Sequence, residues 1–469
     1  MITTEQEAID YIYASYLKAE PYLDYSAPDR EKRHPEYTKE LIQDLCMDGN
    51  NILITGSKGK GSVACMIAGI LQTKQESVGL LTSPHVLTFR ERIKCNGKLI
   101  SEADFVRFCK AVEEKLCNTR LEKQEYISPI GIECAAAMMF FREQKTWFNV
   151  IECGKGVAYD DTRNVRHDYA VINPVFLEHV RELGPGLKEI AENKAAVMEQ
   201  GQKCVYLGRQ SEIPGKIFHD RAEEYHIPVK EYGNDFSCRN VRLDELGILF
   251  DVITNRRSYT DLRIPTWGEY QAENCALAIS VCEDIIEECS LEKIKSFLQN
   301  LKIPGRMELY EKNPICILDA CINRESTGAI CSALEKIPYT KGIAILAIPE
   351  DKDYAGVAEA ISKYAELVIL TDTDSPHYQF SPAQLTKVRE TVPASIYIEN
   401  PEKALQYAKQ QNPELICILG TTSLIAQMEC CHATEQRSAA GQNNYSDCAE
   451  EAAAGVPDAA EVEAAEVPL

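Results

Sequence analysis

An apolar run, Asn51 to Ile54, leads into Thr55-Gly56-Ser57-Lys58-Gly59-Lys60-Gly61-Ser62, and a small-residue, helix-compatible segment from Val63 to Leu71 follows. These residue types suit the capture of a nucleoside triphosphate. Gly56, Gly59 and Gly61, with Ser57 and Lys58 between them, let backbone N–H groups close on phosphate oxygens. Lys60 reaches the outer phosphates as a point charge. The Ser62 hydroxyl can ligate Mg²⁺, and the N-terminus of the following helix favours an anion. A glycine separates the lysine from the hydroxyl, so the spacing departs from the common G-x-x-x-x-G-K-[ST]. The competing reading is a glycine-rich turn without a ligand. The order strand, turn, lysine, hydroxyl, helix favours phosphate binding.

A phosphate loop needs a metal, and the metal needs ligands. Val150-Ile151-Glu152-Cys153-Gly154 sets a carboxylate at the end of an apolar strand, where an α/β sheet presents its ligands. Glu178-His179 lies just beyond the next strand-like run. Glu152 and His179 are therefore expected as Mg²⁺ ligands beside Ser62. The competing readings are a strand-end carboxylate paired with Arg or Lys, and a structural histidine.

The elements that must position these groups follow from periodicity. Short apolar runs predict strands at Asn51–Thr55, Val78–Thr82, Asn149–Glu152, Tyr169–Asn173 and Cys204–Leu207. Between and after them, helical patterns cover Ser62–Thr73, Ala103–Lys115, Gly131–Glu143, Gly186–Met198 and Ala272–Glu287. This alternation predicts a doubly wound parallel sheet with helices on both faces. Residues 1–50 read as helical and polar, with Tyr11, Tyr13, Tyr16 and Leu17 at roughly helical spacing and a charged loop at Asp24–Pro35. Residues 235–265 read as a small antiparallel insertion. Lys302-Ile303-Pro304-Gly305-Arg306 reads as a linker. Beyond it, strand-like Ile315–Asp319, Gly342–Ile348, Leu367–Thr371 and Ile416–Gly420 predict a second, smaller α/β domain. The expected domains are 1–300, 301–430 and, where large apolar residues nearly vanish, a disordered acidic tail at 431–469.

The chain has 469 residues, room for two or three domains. Its formal charge of −22 argues against a nucleic-acid or anionic-membrane surface. Part of that charge belongs to the acidic tail. Nineteen cysteines are scattered without a C-x-x-C pair, the N-terminus lacks a signal-peptide pattern, and no apolar stretch approaches the ~18 residues of a membrane helix. The expectation is a cytoplasmic, monomeric protein whose cysteines are reduced and mostly buried.

At this point the chain resembles the ATP-dependent Mur ligases, and among them the folylpolyglutamate synthase/dihydrofolate synthase group. Thr55 to Ser62 resembles T-G-T-N-G-K-G-S. Leu81-Thr-Ser83-Pro84-His85 with Arg90-Glu91-Arg92-Ile93 and Asn96-Gly97 resembles T-S-P-H-L…R-E-R-I…N-G. Glu152-Cys-Gly-Lys-Gly156 with Asp160-Asp-Thr162 resembles E-V-G-L-G-G-R-x-D-A-T-N. Leu177-Glu-His179, Ile190-Ala-Glu-Asn-Lys194, Tyr270-Gln-Ala-Glu-Asn274, Pro304-Gly-Arg306 and Asp351-Lys-Asp353 follow in the family's order.

The resemblance implies a two-step ligation. ATP phosphorylates a substrate carboxylate, an amino acid's amine attacks the acyl phosphate, and phosphate leaves. It implies Lys60 on the γ-phosphate, Mg²⁺ held by Ser62, Glu152 and His179, and Lys194 as the lysine that is carbamylated in many of these ligases to supply a further metal ligand. It implies nucleotide contacts from Asn274, Arg306 and Asp319, and substrate contacts from Ser83, His85 and Arg90. The chain departs from the pattern at Ile322, where D-G-A-H-N-P has its histidine, and at Ala158 and Arg163 in the third motif. The Gly- and Phe-rich N-terminal segment of the folate enzymes is not recognisable. Two alternatives stand beside a ligase of the folate type: a Mur-type ligase on a cell-wall precursor, and a catalytically weakened nucleotide-binding paralogue with a regulatory role.

Overall fold

The computed structural model describes residues 2–45, 50–74, 76–286, 289–350, 352–373 and 379–439. Its centre is an eight-stranded sheet: β1 (Asn51–Thr55), β2 (Val78–Leu81), β3 (Ile93–Cys95), β4 (Lys98–Leu99), β5 (Phe148–Glu152), β6 (Tyr169–Ile172), β7 (Cys204–Leu207) and β8 (Val229–Glu231). The spatial order is β4-β3-β2-β5-β1-β6-β7-β8. The six strands from β2 to β8 run parallel, while β3 and β4 add an antiparallel edge. Strands β1, β2, β5, β6 and β7 are buried along their whole length, which is why they read as unbroken apolar runs.

The register decides what surrounds the phosphate loop. Ile54 of β1 pairs with Glu152 on one side, and Thr55 pairs with Ile172 on the other. The chain leaving Thr55 is therefore flanked by Glu152 and by Asn173. The helix Lys60–Gln72 then runs back along the sheet, burying Val63, Ala64, Met66, Ile67, Ile70 and Leu71. It packs against the helices Tyr270–Ile285 and Leu291–Gln299. Gly69 permits the second contact, since a Cβ there would fall 2.0 Å from the Phe297 ring.

The segment expected as an antiparallel insertion forms a three-stranded sheet, β9 (Phe236–Asp244), β10 (Gly247–Thr254) and β11 (Ser258–Ile264), that shares a core with the helix Tyr270–Ile285. The opposite face of the large sheet carries the N-terminal helix Glu5–Ala19, capped by Thr4 with Glu7, and the helices Glu102–Leu116 and Pro129–Gln144.

After the Pro304-Gly305-Arg306 turn comes a second α/β domain. Its strands are β12 (Glu308–Lys312), β13 (Ile315–Asp319), β14 (Gly342–Ala347), β15 (Leu367–Leu370), β16 (Ser395–Tyr397) and β17 (Leu415–Gly420), ordered β12-β13-β17-β14-β15-β16 with only β12 antiparallel. The two domains touch through Thr266 and Trp267. The Thr266 hydroxyl donates to the Arg306 carbonyl (2.8 Å), and the Trp267 N–H to the Met307 carbonyl (2.8 Å).

The last helix runs from Thr422 to Ala439, past residue 431 where the tail was expected to begin. Residues 440–469 of that tail lie outside the described residues, as does Asp351. Every cysteine among the described residues is a free thiol, and most are buried. No helix among them is long and apolar enough to cross a membrane.

Candidate active site

Gly59 takes φ +85°, a left-handed conformation open to glycine, and begins the helix Lys60–Gln72. A Cβ at Gly59 would fall 2.7 Å from Asn173 Nδ2 and 2.9 Å from Asn274 Oδ1. The loop is thus roofed by two amides, one just past the end of β6 and one on the helix Tyr270–Ile285. Gly56 sits equally close to Asn173, 2.5 Å from its Cβ by the same measure. Lys60 Nζ donates to the Gly56 carbonyl (3.2 Å), curling the lysine over the loop.

Glu152 is buried beside the start of this helix. Its Oε2 lies 3.2 Å from where a Gly61 Cβ would stand, and it accepts the Ser83 N–H at 3.0 Å. Ser62 is also buried and accepts from Gln271 Nε2 (3.3 Å), which the Asn274 amide holds through Gln271 Oε1 (2.9 Å). Gly61, Ser62, Ser83 and Glu152 therefore come together. Gln271 and Asn173 are partners that motif reading passed over; the signal for Gln271 was the Tyr270-Gln271-Ala-Glu-Asn274 segment, and for Asn173 its place at the end of a strand-like run.

His179 and Lys194 form a second group behind the loop. Lys194 is fully buried. Its Nζ donates to the carbonyls of Gly56 (2.9 Å) and Lys155 (2.6 Å) and pairs with Glu178 at 3.1 Å. Burial, aided by the like charge of Lys60 and opposed by Glu178, brings its amine down to about 8. His179 takes φ +45°, unusual for a non-glycine residue. Burial lowers its imidazole below the ordinary value against the pull of Glu178. The bond from Lys194 to Gly56 joins this group to the phosphate loop.

Does this set suit a phosphate-bound Mg²⁺? Two buried polar atoms at the loop, Thr55 Oγ1 and Asn173 Oδ1, have no hydrogen-bond partner among the described residues. Among those residues no three His, Cys, Asp or Glu side chains gather into a metal cage. Mg²⁺ commonly takes one or two carboxylates and completes its shell with water and phosphate oxygens. Glu152 with Ser62 meets that demand, so the residues fit.

Lys58 stands exposed over the Phe176 ring, 5.8 Å from its centre. It reaches electrostatically across to Asp319 of the second domain. Asp319 ends β13, accepts the Met307 N–H (2.7 Å) and is raised by burial to about 6, against the pull of Arg306. Arg306 is exposed in the linker turn. These groups face one another across the domain boundary.

Ser57 and Arg90 are otherwise engaged. The Ser57 N–H donates to the Pro174 carbonyl (2.9 Å), and its hydroxyl accepts the Phe176 N–H (3.1 Å), so it anchors the loop's outer strand. Arg90 pairs with Glu5 (2.8 Å) and donates to the Ile100 carbonyl (3.3 Å), tying its segment to the N-terminal helix. His85 accepts from Arg92 Nε (3.0 Å), and burial with that positive neighbour drives its imidazole down to about 3. It is neutral, with Nδ1 fixed as the acceptor.

Beside the turn that follows Glu152 opens a small cleft. Tyr13, Tyr16 and Tyr126 give it aromatic walls, with Tyr16 and Tyr126 edge to face at 5.3 Å. Arg33, Arg92 and Lys155 supply positive charge, and Glu133 and Asp160 supply carboxylates. These residues come from the N-terminal helix, the 24–35 loop and the segments around 92, 126–133 and 154–160. Their convergence could not be read from spacing along the chain. The cleft and the loop share the turn after Glu152: Gly154 and Lys155 line the cleft, while the Lys155 carbonyl and the Gly56 carbonyl hold the same Lys194 amine.

Fold and site together define a two-domain α/β nucleotide enzyme, with a phosphate loop in the large sheet, Arg306 of the linker turn and Asp319 of the second domain at the domain boundary, and a cleft alongside. A family model for the Mur ligase middle domain matches residues 54–282, and one for the Mur ligase, glutamate ligase domain matches residues 305–422. The chain belongs to the Mur ligase family. It is 27% identical over 385 residues to dihydrofolate synthase/folylpolyglutamate synthase of Bacillus subtilis, covering 80% of this chain and 88% of that protein. It is 28% identical over 341 residues to folylpolyglutamate synthase of Lacticaseibacillus casei, covering 69% and 76%. Among solved structures, Thermotoga maritima folylpolyglutamate synthase aligns with a TM-score of 0.77 at 24% identity, over 90% of this chain and 95% of that one. The Mycobacterium tuberculosis enzyme complexed with ADP aligns with a TM-score of 0.76 at 22% identity, over 90% and 99%.

Proposed function

We propose that this chain is an ATP-dependent ligase that joins a small carboxylic acid of the folate class to the amino group of an amino acid, glutamate by the names of its relatives, through an acyl phosphate. The observation that carries the proposal is the shared turn. Residues 152–155 run directly from the Glu152 carboxylate beside the phosphate loop to the wall of the acceptor cleft. A phosphate held by the loop and a carboxylate held in the cleft would then meet at one place. The tyrosine walls suit a flat aromatic acid, and the cleft's cations suit its carboxylate.

In this reading the loop N–H groups and Lys60 bind and orient the triphosphate, and Ser62 with Glu152 would hold Mg²⁺. The ion supplies charge neutralisation across the phosphate oxygens when bound. Lys155 and Arg33 hold the acceptor carboxylate so that one of its oxygens faces the γ-phosphorus. That oxygen takes the phosphoryl group and ADP departs. The amine then attacks the acyl carbon, the C–O bond breaks, a proton leaves the nitrogen, and the oxygen departs with phosphate. Positioning provides most of the rate gain in such a transfer. Lys194 holds the loop from behind through the Gly56 carbonyl and, brought down to about 8, has an amine fraction open to carbamylation, which would make it a further Mg²⁺ ligand beside His179. Asn274, Arg306 and Asp319 would close over the nucleotide, and Ser83 and His85 over the acceptor.

Residues 1–300 serve in this reading as the nucleotide-holding domain and 301–430 as the domain that closes on it. The reading also makes the enzyme a cytoplasmic monomer acting on small molecules, with neither nucleic acid nor membrane as a partner. The acidic net charge argues against a nucleic-acid or anionic-membrane partner. The test is phosphate release from Mg-ATP with dihydrofolate, tetrahydrofolate or a cell-wall nucleotide acid, each with and without L-glutamate. Release that requires both a folate and glutamate is expected. ATP binding without turnover on any pair would overturn the proposal in favour of a non-catalytic role.

A further inference from the structure

None of Asn274, Arg306 and Asp319 offers a ring face to the nucleotide, yet an aromatic side chain stands among them. Tyr270 opens the helix Tyr270–Ile285, and Asn274 follows one turn later on the same helix face. Asn274 in turn hangs over Gly59 of the phosphate loop. On its other side lie Arg306 and Asp319: Thr266 and Trp267, just before Tyr270, donate to the Arg306 and Met307 carbonyls, and the Met307 N–H donates to Asp319. Tyr270 is thus bracketed by the phosphate loop's roof and by the two charged groups opposite.

The ring's posture is fixed by its neighbour. A Cβ at Gly268 would fall 2.8 Å from Tyr270 Cε1 and Cζ and 3.1 Å from its hydroxyl, so the ring lies against a backbone that only glycine leaves open. It nonetheless stays 39% exposed, whereas Trp267 three residues earlier is wholly buried. A tyrosine in a domain core would turn inward; this one presents its surface at the domain boundary. The second domain's Asp319-Ala320-Cys321-Ile322 run contributes no aromatic group there.

We propose that Tyr270 is the stacking platform for the nucleotide's purine base, a positioning and specificity residue held in place by Gly268. The inference rests on the nucleotide site proposed above. Stacking on an aromatic side chain needs only a ring face and is lost when that ring is removed.

The test compares ATP with inorganic tripolyphosphate, which carries the phosphates and no base, by titration calorimetry in Mg²⁺ on the full chain. Tyr270→Ala is expected to weaken ATP binding about tenfold, the scale of one base–aromatic stack, and to leave tripolyphosphate binding unchanged. Tyr270→Phe keeps the ring and is expected to bind both like the wild type. An equal loss for both ligands in Tyr270→Ala would show a structural role and overturn the inference. So would unchanged ATP affinity. Lys60→Ala runs alongside as a control on the site itself. If it binds tripolyphosphate as the wild type does, the phosphate-loop reading fails, while the Tyr270 result is still read from the difference between the two ligands.

Discussion

Replacing Glu133 by glutamine strikes the buried charge pair on which the acceptor cleft is built. Glu133 is 1% exposed and takes both oxygens to Arg92 Nη1, at 3.0 and 3.1 Å; Arg92 is 2% exposed. Removing one charge from a fully buried pair costs about 3–5 kcal/mol, because the remaining ion has been taken out of water. Glutamine keeps the shape and one carbonyl acceptor, which offsets about 1 kcal/mol. A net loss of about 2–4 kcal/mol follows. The damage should also be directional. Arg92 lines the cleft, stacks on Phe89 4.6 Å from its ring centre, and fixes His85 through its Nε, so a relaxed Arg92 disturbs the cleft and loosens both neighbours. The phosphate loop, which continues β1, keeps its own supports in Asn173, Asn274 and Lys194. Guanidinium denaturation should show the stability loss, and steady-state kinetics should show KM rising for the acid acceptor far more than for ATP. A variant within about 0.5 kcal/mol of the wild type, the range of a neutral surface change, would refute the reasoning. An equal rise in both KM values would do so as well.

Three further outcomes are expected. Gly59→Ala should lose roughly 1–2 kcal/mol to the left-handed backbone alone and should weaken ATP binding further, because the new Cβ would press on Asn173 and Asn274; calorimetry with Mg-ATP reads the effect, and unaltered affinity would contradict the placement. Glu152→Gln should raise the Mg²⁺ concentration needed for half-maximal turnover while ATP binding in the absence of metal stays put; an unchanged metal requirement removes Glu152 from the site. Asp161 is buried, accepts from Thr38 Oγ1 at 2.6 Å, and is raised by burial to about 7. A carboxyl raised in the folded state stabilises fully below its unfolded value near 4 and loses that contribution as pH rises through about 7. Asp161→Asn should therefore gain thermal stability relative to the wild type at pH 8 and gain little at pH 5; equal shifts at both would show that the carboxyl is not held neutral.

The large sheet and the phosphate loop were legible because their physics is local. β1, β7 and β13 were readable to the residue: strands covered on both faces show as unbroken apolar runs. The short strands β3, β4, β12 and β16, two to five residues each and only partly buried, carry no such signal. The last helix ran past the expected start of the tail because its polar, alanine-containing end is as compatible with a helix as with a disordered segment. Within the site, Glu152 could be found from its place at a strand end. The engagement of Arg90 by Glu5 could not, since 85 residues separate them. The acceptor cleft was hidden for the same reason. Tyr16, Arg33, Arg92, Tyr126 and Lys155 lie on five separate segments, and only the sheet order β2-β5-β1 draws them together.

The central claim is that the acceptor's carboxylate is activated as an acyl phosphate. The most direct measurement uses a folate acceptor labelled with ¹⁸O in that carboxylate, together with Mg-ATP and L-glutamate, and reads the released phosphate by mass spectrometry. The account predicts one ¹⁸O in the phosphate for each amide bond formed, because the oxygen that attacks the γ-phosphorus is the oxygen that leaves the acyl carbon. Phosphate released without label during amide formation would contradict it.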